Sequence, residues 1–152
     1  MDYLPLFHNL KGRNVLVVGG GEIALRKVRL VQQASAIITI VAKDFCPDLL
    51  AMDADDKTHG CNGLHLVTGA YERQHMLAVD SIVMVIAATN DRDLNRLVAE
   101  KAQKANVLAN VVDDPAFSTV IFPSIVDRSP IQIAISSGGD APVLVRLLRT
   151  KF

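Results

Sequence analysis

The sequence has no tryptophan and only two cysteines, Cys46 and Cys61, in 152 residues. They fall in different segments without the paired spacing of zinc ligands. That excludes a disulfide-framed secreted scaffold and a cysteine metal site, and implies two free thiols in a reducing compartment. Neither sign of charge is in excess, since 16 Lys and Arg balance 16 Asp and Glu. There is no global basic field to attract nucleic acid or an anionic membrane. Long apolar runs are missing too. The longest, Ile82 to Ala88, is far short of the ~20 residues needed to span a bilayer. Met1-Asp2-Tyr3-Leu4-Pro5 has an early acid and no basic segment, unlike a signal peptide. His8, His59, His65 and His75 are scattered, with no i, i+4 pair and no cysteine pair nearby, so no protein metal site is expected. These absences point to a cytoplasmic protein that binds neither nucleic acid nor membrane.

What is present is half apolar residues, enough to build a core at this length. Asn14 to Val18 is a β-branched run of the kind buried on both faces of a parallel sheet. From Glu22 the period becomes helical, with Ala24, Val28 and Val31 on one face and Arg26, Lys27 and Arg29 on the other. A second apolar run, Ile37 to Ala42, follows, completing a βαβ unit within about 30 residues. Asp44 to Met52 fits a short helix with Pro47 in its first turn. Asp53 to Gly63 is polar and without periodicity, which predicts an exposed loop. Leu64 to Val67 and Ser81 to Ala87 are expected as the third and fourth strands. Asp91 to Ala105 reads as a helix capped by Thr89, Asn90 or Asp91, and Val107 to Val112 as the fifth strand. Beyond Asp113-Asp114-Pro115 the grammar changes. Phe117 to Phe122 and Ile131 to Ile135 are strand-like with no helix between them, which predicts antiparallel strands appended to the parallel sheet. Ser136-Ser137-Gly138-Gly139-Asp140 then opens a last helix containing Val143, Leu144, Leu147 and Leu148. The expected fold class is α/β: a Rossmann-type parallel sheet with helices on both faces, extended by antiparallel strands and a C-terminal helix. Residues 1–113 form the NAD-binding domain in this reading, and 114–152 the sheet extension and the start of a dimerisation and substrate region.

Gly19-Gly20-Gly21-Glu22-Ile23-Ala24 fits the GxGxxG/A dinucleotide fingerprint. Gly19 allows the tight turn, Gly21 lets backbone approach a pyrophosphate, and Ala24 permits close helix–strand packing. Backbone N–H groups at the helix start face the anion. The preceding strand and following amphipathic helix are the context such a motif requires. Asp44 lies about 20 residues on, where an acid hydrogen-bonds the ribose 2′-hydroxyl of NAD and repels the 2′-phosphate of NADP. Lys43 beside it favours the phosphate, and Asp44 is equally suited to capping the next helix. Ala87-Ala88-Thr89 ends the fourth strand beside the switch point of the sheet, where Thr89 either touches the cofactor or caps the next helix.

With these residues placed, the chain resembles the precorrin-2 dehydrogenase/sirohydrochlorin ferrochelatase module of siroheme synthase. The resemblance is carried by Tyr3-Leu4-Pro5-Leu6-Phe7, Val17-Val18-Gly19-Gly20-Gly21 with Ala24 and Arg26-Lys27, and Ala87-Ala88-Thr89. It continues through Asn110-Val111-Val112-Asp113, Phe122-Pro123-Ser124-Ile125, Asp127-Arg128-Ser129-Pro130 and Ser136-Ser137-Gly138-Gly139 with Ala141-Pro142. It implies oxidation of precorrin-2 to sirohydrochlorin with NAD⁺, followed by insertion of Fe²⁺, a substrate held mainly by the tetrapyrrole nitrogens. It also implies that Asp113 is the family's important aspartate, and that Glu22, Ile23, Lys43 and Asp44 contact the nucleotide. The resemblance further implies that Ser137 lies in the loop associated with the tetrapyrrole pocket and that the assembly is a homodimer. Family members continue into a helical region that contributes to dimerisation and to the pocket, and fused versions add a methyltransferase. The segment Asp53 to Asn62 is longer than the family's usual connection, and Ser35 stands where a glycine is common.

The chemistry agrees with these residues. A carboxylate at Asp113, just past the fifth strand, is placed to act as general base, although Asp-Asp-Pro is also a good turn sequence. A polycarboxylate substrate needs donors, and Ser136, Ser137, Gly138, Gly139 and Arg128 are the candidates. Arg146 and Arg149 read as a solvated helix face. The competing reading is a regulatory nucleotide-sensing module, which would need the glycine loop and Asp44 but neither Asp113 nor the Ser-Ser-Gly-Gly turn.

Overall fold

The computed structural model describes residues 2–60, 63–78, 81–138 and 141–151. Cys61, Gly139 and Asp140, which the sequence reading invoked, lie outside them. Two compact units form, one from His8 to Thr119 and the other from residues up to Phe7 together with those from Val120.

The larger unit is β1(Asn14–Val18), α1(Glu22–Gln33), β2(Ile37–Ala42), α2(Pro47–Thr58), β3(Leu64–Thr68), α3(Arg73–Ala78), β4(Ile82–Ala87), α4(Arg92–Lys104) and β5(Leu108–Val111). The strands make one sheet in the order β3-β2-β1-β4-β5, parallel throughout. The order reverses between β1 and β4, so the C-terminal ends of those strands flank the crevice where ligands bind such sheets. Strand β1 is at the centre, and Val15 to Val18 are no more than 1% exposed. Alternation sends Leu16 and Val18 to one face, where they join Val85, Ala87, Ala109 and Val111 under Val98, Ala99 and Ala102 of α4. Val15 and Val17, paired with Ile38 and Ile40, face the other way. There α1 buries Ala24, Leu25, Val28 and Val31.

Three expectations need correction. Asp53 to Gly63 is not a loop throughout, because α2 runs on to Thr58. Leu49 is the buried residue of this helix, so no apolar stripe marked it in the sequence. It is held instead by Lys57 donating to Asp53 Oδ2 at 2.6 Å, and by Asp56 Oδ2 accepting the backbone N–H groups of Gly63 and Leu64 at 2.9 and 3.1 Å. Phe117 to Phe122 is not a strand: Pro115–Phe117 is a 3₁₀ turn. Ser118 and Thr119 then satisfy the edge of β5 largely with hydroxyls, Thr119 Oγ1 accepting from Ala109 N at 2.8 Å and Ser118 Oγ from Val111 N at 2.9 Å. The antiparallel strands are also not appended to the parallel sheet. In the smaller unit β6(Ser124–Arg128) and β7(Ile131–Ile135) form a two-stranded sheet of their own, against which α5(Pro142–Arg149) packs. The short helix α3 was not anticipated.

Candidate active site

The glycine loop is built by what surrounds three missing side chains. Gly19 has φ +125, and a Cβ there would lie 2.3 Å from the Ala88 carbonyl oxygen. A Cβ on Gly20 would lie 2.1 Å from the backbone oxygen of Asp44, and the Gly20 carbonyl accepts a hydrogen bond from Cys46 N at 2.8 Å. The loop is thus wedged between the ends of β4 and β2. Gly21 differs: no atom lies within 4 Å of the position its Cβ would take. It is the N-cap of α1, with φ −88 and ψ −173, and no side chain caps the helix. The first intrahelical bond runs from Leu25 N to Gly21 O. Space beside Gly21, an uncapped positive helix end and the exposed side chains of Glu22 and Ile23 together fit a dinucleotide pyrophosphate. Asp44 and Lys43 are exposed at the end of β2, with the Asp44 backbone against the loop. Gly20, left without a role by the fingerprint, is the residue that brings them there.

The β4 side of the crevice is held by Thr89. Its N–H and hydroxyl donate to Asn95 Oδ1 at 3.1 and 2.6 Å, and its carbonyl accepts from Asn95 Nδ2 at 2.9 Å. The cap of α4 is Asp91, whose Oδ1 accepts from Asp93 N and Leu94 N. The structure thereby gives the capping role to Asp91, whose own N–H donates to Thr89 Oγ1 at 3.1 Å. Thr89 is half-buried.

Asp113 follows β5 in a turn, exposed and in the left-handed conformation with φ 58. Its neighbours are strapped down. Arg96 Nε donates to Asp114 Oδ2 at 3.2 Å, and the Arg96 guanidinium stacks 4.8 Å from the Phe117 ring centroid. Ser118 Oγ donates to the carbonyls of Val111 and Asp114. Half-buried Lys27 reaches toward this turn from α1. Burial lowers its pKa below the ordinary lysine value, and the negative charge of Asp113 partly offsets that. Gly19, Gly21, Glu22, Ile23, Lys43, Asp44, Thr89 and Asp113 thus all lie at the C-terminal edge of one sheet. Asn95 escaped the sequence reading, and Lys27, read there as solvent-side charge, is half-buried. A polar residue on the apolar face of the α4 pattern was the available signal for Asn95.

Arg128, Ser136, Ser137 and Gly138 belong to the smaller unit. Arg128 pairs with Ile131 at the turn of the hairpin, whereas Ser136 continues from Ile135 at its open end. Five residues of strand separate these positions by roughly 15 Å. The serines do not open the last helix: α5 starts at Pro142 with Ala141 as its N-cap. Ser137 Oγ accepts from Ala141 N at 2.9 Å and Ser136 Oγ from Gly138 N at 3.1 Å, so both hydroxyls shape the loop before the helix. Among the described residues no three His, Cys, Asp or Glu side chains group as a metal site, and no helix is long and apolar enough to cross a membrane.

Comparison with known proteins agrees with this geometry. Residues 6–124 match the model of a family described as putative NAD(P)-binding, and residues 128–152 one described as sirohaem biosynthesis protein central. The siroheme synthases of Pseudomonas putida (strain F1) and Azotobacter vinelandii are each 51% identical over 99% of this chain, which covers 31% of their length. Siroheme synthase 1 of Cronobacter sakazakii is 49% identical over the same share, 30% of its own length. The chain therefore spans less than a third of the curated relatives it matches. A solved structure described as SirC, precorrin-2 dehydrogenase, superposes with a TM-score of 0.77 at 26% identity, covering 98% of this chain and 69% of that one. The sheet order, the glycine cradle and a family model running through the whole of the larger unit lead to one assignment: the chain belongs to the putative NAD(P)-binding family, and over 99% of its length it is related to siroheme synthases.

Proposed function

We propose that this chain oxidises precorrin-2 to sirohydrochlorin with NAD⁺. The observation that carries the reading is half-identity to siroheme synthases over 99% of the chain, in a fold whose glycine loop leaves room for a dinucleotide. Bound NAD⁺ would supply the hydride acceptor. The N–H groups following Gly21 receive its pyrophosphate, with Gly19, Glu22, Ile23, Lys43 and Thr89 lining the site. The Asp44 carboxylate accepts from the ribose hydroxyls and disfavours the 2′-phosphate of NADP.

In balance, precorrin-2 gives up one hydride and one proton, and the products are sirohydrochlorin, NADH and H⁺. Asp113 takes the proton as general base. The strap of Arg96, Asp114 and Ser118 holds its backbone in the left-handed turn. Ser136, Ser137, Gly138 and Arg128 are assigned to the carboxylates of the substrate. Insertion of Fe²⁺, which releases two pyrrole N–H protons, is assigned to the same site and the same base. Residues 1–113 are assigned to the cofactor and 114–152 to substrate and dimerisation. The homodimer reading is supported by Val143, Leu144 and Leu147 of α5, each more than half exposed. A cytoplasmic location accords with the biosynthetic role.

The test is anaerobic incubation with precorrin-2, with and without NAD⁺, following sirohydrochlorin and NADH absorbance. NAD⁺-dependent turnover that is lost in Asp113→Ala is the expected result. NAD⁺ binding without turnover, in this chain and in a longer one extended to the length of its relatives, would favour the sensing module instead.

A further inference from the structure

Among the buried positions of α4, Asn95 stands beside Val98, Ala99 and Ala102. It is 4% exposed, and an amide is kept in such a place only if its hydrogen bonds are made. The helix does not need it for a start, because Asp91 already caps the first turn. Its three side-chain hydrogen bonds all go to one residue. Its Oδ1 accepts from Thr89 N and Thr89 Oγ1, and its Nδ2 donates to Thr89 O. The chain just before Thr89 is what Gly19 touches: a Cβ on Gly19 would lie 2.3 Å from the Ala88 oxygen and 3.1 Å from Thr89 N. Ala88 N also donates to Val18 O at 2.8 Å. The Ala88–Thr89 wall is therefore fixed from two sides, by the glycine loop on one and by Asn95 on the other.

We infer that Asn95 is a positioning residue for the dinucleotide, holding the Ala88–Thr89 wall against the glycine loop and so setting cofactor affinity. This rests on the NAD reading above. Asn95 touches no reacting group; it acts through the backbone of Thr89. The reason for amide chemistry at this position is that one side chain must satisfy a donor, an acceptor and a hydroxyl together, which Asn does and an apolar residue of similar size does not.

The experiment compares Asn95→Leu with Val98→Ala, a core change on the same helix at an apolar side chain that makes no hydrogen bond to Thr89. Calorimetry with NAD⁺ gives Kd, amide hydrogen exchange reports Thr89 in the protein without ligand, and melting temperature reports the fold. Asn95→Leu is expected to raise Kd about 10-fold and to speed exchange at Thr89, while Val98→Ala lowers the melting temperature but changes Kd less than about twofold. Should Asn95→Leu not fold, Asn95→Ser is judged on the same Kd and exchange readings. An unchanged Kd in the folded Asn95 variant, or a change no larger than that of Val98→Ala, overturns the inference and makes Asn95 purely structural. Failure of the unmodified chain to bind NAD⁺ overturns the cofactor reading itself, and this inference with it.

Discussion

Gly19, Gly20 and Gly21 are chemically identical and differ only in what surrounds the missing Cβ. At Gly19 a methyl group meets the Ala88 carbonyl in a backbone of φ +125. Gly19→Ala should therefore cost on the order of 3 kcal/mol in stability. At Gly21 the same methyl group meets no protein atom. Gly21→Ala should cost about 1 kcal/mol or less, as an N-cap change, yet weaken NAD⁺ about 10-fold or more by occupying the pyrophosphate approach. Denaturant melts and calorimetry on the two variants check the contrast, and equal loss of stability would refute it. Asp44 makes a prediction of the same kind. Asp44→Ala should lower the preference for NAD⁺ over NADP⁺ about 10-fold, measured as the ratio of their Kd values, by removing the charge that repels a 2′-phosphate. The fingerprint was readable because its spacing is local. The need for glycine at position 20 was not, because it arises from contact with a strand end 24 residues further on.

At the scale of elements, α1 and α4 announced themselves through regular apolar stripes that bury four and three apolar residues respectively. With Leu49 as its buried residue, α2 had no stripe to show, and the apolar run after Pro115 read as a strand that hydroxyl hydrogen bonds had replaced. Both strong helices end the same way. Ser35 N donates to Gln32 O and Ala36 N to Val31 O, as Asn106 N does to Gln103 O and Val107 N to Ala102 O. Each is a Schellman closure with its C′ residue left-handed, Ser35 at φ 59 and Asn106 at φ 57. Serine is the poorer choice for that conformation, so Ser35→Gly should stabilise the protein by about 1 kcal/mol. A fall in the denaturant midpoint would count against it. Asp91→Ala, which removes the acceptor for two N–H groups at the start of α4, should cost about 1 kcal/mol in the same measurement.

At the scale of the whole molecule, the consequential interaction is electrostatic, between Lys27 on α1 and Asp113 after β5. Burial lowers the Lys27 pKa from 10.5 and the Asp113 charge pulls it back. A lowered folded pKa means that the unfolded chain binds more protons in the window below 10.5. The contribution of Lys27 to stability therefore rises with pH through that window and is withheld beneath it. Asp113→Asn removes the offsetting charge, and asparagine tolerates the left-handed backbone. The variant should melt below the unmodified protein at neutral pH, and the gap should close as pH rises above the lowered folded-state pKa of Lys27, where the folded lysine is neutral with or without the Asp113 charge. A gap that holds or widens with pH would reject the pairing.

The sequence alone determined the five parallel strands, the helices α1 and α4, the glycine loop and the family, because hydrophobic period and motif spacing act over a few residues at a time. The tertiary structure decided the rest: that the hairpin is a sheet of its own, that Gly20 must lack a side chain, that Asn95 grips Thr89, and that Lys27 feels the charge of Asp113. Each of these depends on backbone or side-chain groups distant in the chain arriving within contact distance, and no local pattern encodes such a meeting.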